Sequence, residues 1–271
     1  MVTLGDDVLS QYSVITCYNS PFVAHNTGCA IDLYPDAGAP SPVAGEVRDV
    51  RTVRAPPRSY AVDEEYLVLI DTGEYVARLL HIEPTVEPGE AVAVGDHLGT
   101  LVRSGFFAPW VDNHIHLGFR EPDANLTRAS GSLRIELATD LTGVPWDGTG
   151  RVIDRGATYV TLDAPDHPAP GECFAGVSAD GDGVLDGGLP HYDGGGLYGG
   201  VDGSVSLLAT TIGTATDRTV DWRSLTVRAN GHPVTGLSFA LGRDRIGVKL
   251  VDHDGIPVEL GEHVSVTIEP H

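Results

Sequence analysis

"EYVARLLHIEPTVEPGEAVAVGDHLGTL", residues 74 to 101, offers no helical period. A short apolar run ends at Pro84, and Pro88-Gly89, Gly95 and Gly99 then break the chain every few residues. Such spacing leaves room only for short strands and tight turns. The same texture recurs in "EYLVLID" (65–71), "NHIHLGF" (113–119), "RVIDRGATYVTLD" (151–163), "SVSLLATTI" (204–212), "SLTVRA" (224–229) and "HVSVTIEP" (263–270). The 34 glycines and 18 prolines punctuate these β-branched runs. Only "LRIELATDL" (133–141) could form a helix. The fold class is therefore all-β, in sandwich- or barrel-like layers.

Charge narrows the partners. The formal net charge is −21, from 38 acidic against 17 basic residues, and Lys249 is the only lysine. Many carboxylates with almost no lysine suit a protein held soluble in concentrated salt, where the Debye length falls to about 3 Å at 1 M. We read a halophilic origin from this balance. The same balance argues against nucleic acid and anionic membrane, because both demand basic patches. The opening "MVTLGDDVLSQYSVITCYNSPF" has no signal-peptide pattern, no apolar stretch is long enough to span a bilayer, and the three cysteines cannot all pair. The expectation is a cytoplasmic protein with reduced thiols.

Three prolines in "LDAPDHPAPGE" (162–172) suggest a linker around 164–171. The expected organisation is a first domain over 1–125, a β excursion and linker over 126–170, and a β-rich domain over 171–271. The last opens with "GVSADGDGVLDGGLPHYDGGGLYGGVDG" (176–203), in which Asp180, Asp182 and Asp186 alternate with glycines. This lacks the spacing and closing glutamate of an EF-hand, and reads as a solvated acidic loop.

Chemistry concentrates in "VDNHIHLGFR" (111–120). On a strand, residues i and i+2 face the same way, so His114 and His116 share one side while Ile115 and Leu117 point to the core. Upstream lie "AHNTGCAIDLYPDAGAPSPVAGEVRDV" (24–50) and His81, which ends "ARLLH".

This order resembles the M23 family of zinc metallopeptidases, the lysostaphin-like peptidases, over residues 20 to 120. "AGAPSPVAGEVRDV" stands for that family's first turn-strand unit, and "VEPGEAVAVGDHLGTL" matches the second through Gly89, Val92, Gly95, Asp96, Leu98 and Gly99. The resemblance implies a barrel-sandwich hybrid of antiparallel sheets. It implies Zn2+ held by Asp32 and His116, with His81 and His114 as the catalytic pair beside the metal's water. The family motif is H-x-x-x-D, and Gly28 occupies the histidine position. His25, in an H-x6-D arrangement with Asn26-Thr27-Gly28 looped out, takes first place as substitute ligand. A decayed site and a thiolate from Cys29 are the other readings.

Such a set suits catalytic zinc, which takes three histidine or carboxylate ligands and keeps one position for water. The expected function is a zinc-dependent hydrolase of an amide or peptide bond, with a peptide or peptide-like substrate. The alternative is a catalytically degenerate domain serving as a binding or regulatory module. No lysine at a hairpin tip is present to make a lipoyl- or biotinyl-type carrier.

Overall fold

A computed structural model describes residues 1–271. Strands take 47% of the residues and helices 3%, so the all-β expectation holds. No helix is long and apolar enough to cross a membrane. The chain forms two compact units, one from residues 1–15 and 29–139, the other from 16–28 and 140–271.

The first unit is built on an antiparallel sheet. Its strands run in the order Ala30–Tyr34, Ile115–Arg120, Val76–Leu80, Glu65–Asp71, Gly45–Val53 and Ala91–Val92. One face carries Ile31, Leu33, Ile115, Leu117, Ala77, Leu79, Val68 and Ile70, all fully buried. Burying each of the valine, leucine and isoleucine side chains contributes roughly 1.5–3 kcal/mol, and the alternation leaves the other face for chemistry. Beside this sheet, Ile82–Pro84 pairs with Gly99–Leu101. Gly99 has a φ of +151°, and a Cβ there would lie 2.1 Å from the Glu83 carbonyl oxygen. Only glycine permits that approach, which accounts for the glycine in the 86–101 pattern.

"LRIELATDL" is not helical. Ile135–Ala138 is a strand that pairs in parallel with Val2–Gly5, and Leu141–Val144 is another. Ile135 is fully buried there; a neighbouring strand to pair with outweighs the weak helix preference of the segment.

In the second unit one ladder of antiparallel pairs runs from Gly203–Leu207 through Thr210–Thr216, Thr219–Trp222, Gly194–Tyr198, Val184–Leu189, Gly236–Gly242, Gly247–Val251, Tyr159–Leu162 and Thr149–Arg155 to His263–Pro270. A single core cluster underlies it, from Val152 and Val160 to Ile268. The strands at 141–144, 149–155 and 159–162 all pair within this unit. The chain therefore passes between units at 15–16, 28–29 and 139–140, and the proline-rich 164–171 segment is a loop inside the second. Prolines end a strand equally well within a domain and between domains.

The 176–203 segment is no solvated loop. It forms the hairpin Val184–Leu189/Gly194–Tyr198, whose residues are buried throughout. Its glycines make room for rings: a Cβ at Gly195 would lie 1.9 Å from Trp222, and one at Gly196 2.3 Å from Tyr18. Asp186 is fully buried, accepting hydrogen bonds from the Thr16 hydroxyl and, at 2.7 Å, from the Cys17 N–H.

Candidate metal and hydrolytic site

Sheet register assembles the site in the first unit. Asp32 and His116 are direct partners across the antiparallel ladder, so both side chains leave the same face. His116 Nδ1 lies 3.0 Å from Asp32 Oδ1. His114 reaches the same oxygen, with Nε2 at 3.5 Å. The two histidines of "HIH" thus converge on one carboxylate, as expected for residues two apart on a strand.

His114 is fixed in its role. Its Nδ1–H donates to the Asp112 carbonyl at 2.8 Å, which leaves Nε2 as an acceptor turned toward Asp32. Burial pulls its pKa down to about 4, so the ring is neutral near pH 7. Two acceptors therefore face each other, an arrangement that calls for a cation or a donor between them. Tyr34 and Phe107 pack on the His114 ring, with centroids at 5.0 and 4.8 Å.

His81 sits at the junction of the Val76–Leu80 and Ile82–Pro84 strands with a φ of +71°, a strained backbone that turns its ring toward the others. Its ring centroid is 4.9 Å from that of His114 and 5.8 Å from that of His116. Behind it stands Glu65, fully buried at the start of its strand. The Glu65 carboxylate accepts from His81 Nδ1–H, from the His81 backbone N–H at 3.1 Å, and from the Ser104 hydroxyl. Burial raises the Glu65 pKa, but the bonds from His81 and Ser104 outweigh it and leave it below the ordinary carboxylate value. Burial likewise depresses the His81 pKa against the pull of Glu65. Both directions describe an ionised glutamate holding a neutral imidazole, with Nε2 left as the acceptor.

Arg103 secures the loop that carries the aromatic wall. Its guanidinium donates to the carbonyls of Val111, Ala108 (3.1 Å) and Pro109 (2.6 Å), and it lies over the rings of Tyr60 and Phe107 at 5.3 and 4.8 Å.

His25 lies in the helical turn Val23–Asn26 and is buried. Its Nδ1–H donates to the Cys17 carbonyl at 2.9 Å, which directs Nε2 outward as a ligand atom. His25 belongs to the second unit, and Asp32 and His116 to the first. Gly28 could not carry the family's histidine. Its φ is +63°, and a Cβ would meet the Arg218 guanidinium and the Tyr18 hydroxyl at 2.6 Å. Asn26, Thr27 and Gly28 close the helical turn, with the Gly28 N–H donating to the His25 carbonyl at 2.9 Å.

Of the five residues singled out in the sequence, Asp32, His116, His114 and His81 gather in the first unit, the last two as a neutral pair, and His25 lies in the second. Glu65, Ser104, Arg103 and Phe107 were not singled out. The one available signal was an acidic residue heading the otherwise apolar "EYLVLID".

Residues 3–137 match the family model described as Domain of unknown function (DUF8155) N-terminal domain, and residues 142–269 match that of its C-terminal domain. No curated protein and no solved structure matches the chain.

Proposed function

Since the chain belongs to the DUF8155 family, whose description names no chemistry, we propose from the site itself that it is a zinc-dependent hydrolase of an amide or peptide bond. The observation that carries this reading is the Asp32 carboxylate with His116 Nδ1 at 3.0 Å and His114 Nε2 at 3.5 Å, and the neutral His81 imidazole beside them. The donors fit zinc, which prefers nitrogen and oxygen ligands in threes at hydrolytic centres. Asp32 and His116 would hold it, with His25 proposed as the third ligand. Zinc, when bound, supplies a Lewis acid that brings the pKa of its water toward about 7.

The chain's own groups supply the rest. His81 Nε2 and His114 Nε2 are unprotonated near neutral pH, so either can take a proton from an attacking water. The Glu65 carboxylate stabilises the imidazolium that His81 becomes and keeps its ring in place. Once protonated, the same imidazole donates to the departing amine. His114, whose Nδ1–H is held by Asp112, keeps Nε2 as an acceptor that orients the attacking water. Phe107 and Tyr34 exclude bulk water from these rings.

Elemental analysis of the purified protein in molar salt tests the reading. One zinc per chain is expected, lost in His116→Ala and in His25→Ala and retained in His114→Ala, which should lose turnover instead. Full zinc loading in His116→Ala would remove the ligand assignment. A native chain that takes up no zinc would leave a binding module.

A further inference from the structure

The face that carries Asp32 and His116 continues in rows along the sheet. The row Asp32–His116–Leu80 is followed by Ala30–Gly118–Arg78, and then by Arg120 opposite Val76. From strand spacing, the Cα atoms of Arg78 and His116 lie about 8 Å apart, within the reach of an arginine side chain. Arg78 is 9% exposed, and its Nε is buried with no hydrogen-bond partner. Arg120, 2% exposed, shares the same lack at Nε, while its Nη1 and Nη2 are committed to the carbonyls of Ser130 and, at 2.7 Å, Arg128.

Two guanidinium groups are thus buried near one another, and no carboxylate stands within ion-pair distance of either. Burial and the neighbouring Arg120 charge lower the Arg78 pKa to about 10, and no acidic group offsets them. In a chain with 38 acidic residues, solvation and self-repulsion would favour the opposite arrangement. Packing of the arginine stem does not require it either, since leucine or methionine would cover Leu69 and Val76 without burying a charge. A buried, partnerless guanidinium is matched by a planar oxyanion that it can bind with two parallel hydrogen bonds.

We infer that Arg78, backed by Arg120, is the carboxylate-recognising subsite of the hydrolytic face, so that the substrate is a peptide or acylated amino acid whose carboxylate lies close to the bond attacked. This rests on the hydrolase reading for its substrate role, though the anion site itself does not need the metal. Gly118, between Arg78 and Ala30 in its row, puts no side chain into the approach. A Cβ there would lie 3.3 Å from the Ser132 hydroxyl.

The arginine Nε–H resonances of the 15N-labelled full chain report on the site directly, with Arg78→Gln assigning the Arg78 signal. Titration with N-acetylglycine at constant chloride should move the Arg78 and Arg120 signals saturably, and N-acetylglycinamide should not. In Arg78→Gln the affinity read at the Arg120 signal should fall at least tenfold, its unliganded position showing that the fold persists. An equal response to the neutral amide, or an unchanged affinity in Arg78→Gln, would overturn the inference. Running the titration on chelator-treated and zinc-supplemented protein separates the two readings. Carboxylate binding without zinc uptake would sink the metal assignment alone, and zinc uptake without a carboxylate response would sink the anion site alone.

Discussion

Glu65 shows how much one buried side chain decides. Three donors, from His81 twice and from Ser104, converge on its carboxylate. Glu65→Ala would strand all three in a dry environment, at a cost of about 3–5 kcal/mol seen as lowered thermal stability. Glu65→Gln keeps the volume but offers only one acceptor oxygen, so the His81 ring should lose its single tautomer in 15N spectra. The sign with pH follows from the lowered folded pKa. Stability from Glu65 is full above its unfolded value, near 4.3, and is lost as pH falls through the folded value. Asp186, in the second unit, has the opposite sign, since burial raises its pKa to about 7. Its contribution is full below its unfolded value, near 3.9, and is lost as pH rises through 7. The stability of the native chain relative to Asp186→Asn should therefore fall by up to about 4 kcal/mol between pH 4 and 7. Chemical denaturation at both pH values checks it, and a constant difference would contradict it.

At the scale of elements, the loop from Ser104 to Asp112 matters most, because it places Phe107 against two catalytic-type rings. It has no ladder of its own; Arg103 satisfies three of its carbonyls. Arg103→Ala should speed amide exchange across 104–112 by tenfold or more while leaving the 115–120 strand protected. Zinc content should not change, because no ligand-type residue lies in that loop. The strands themselves were legible from the sequence: alternation in "NHIHLGF" predicts Ile115 and Leu117 inward and the histidines together, as found. The strand at 135–138 was not, since its partner Val2–Gly5 lies more than 130 residues away.

For the whole molecule, repulsion among carboxylates is the dominant long-range term at a net charge of −21. Raising potassium chloride from 0.1 to 2 M should raise the unfolding midpoint by several degrees, most steeply at the low end where the Debye length shrinks from about 10 Å. A midpoint insensitive to salt would show that the carboxylates are already compensated locally. The two-unit architecture has its own consequence for reading composition: the proline-rich 164–171 segment looks like a linker but lies between two strands of one core.

Local chemistry reached the strand class and the shared face of His114 and His116, because period and turn residues are properties of neighbouring positions. Tertiary structure alone decided that Glu65 stands behind His81, that Gly28 is closed to any side chain and that Asp186 is buried. It also set Arg78 one row from Asp32. Each of those facts depends on which strands pair and in what register, and pairing between distant segments is selected by the burial of the whole face rather than by any stretch of sequence read alone.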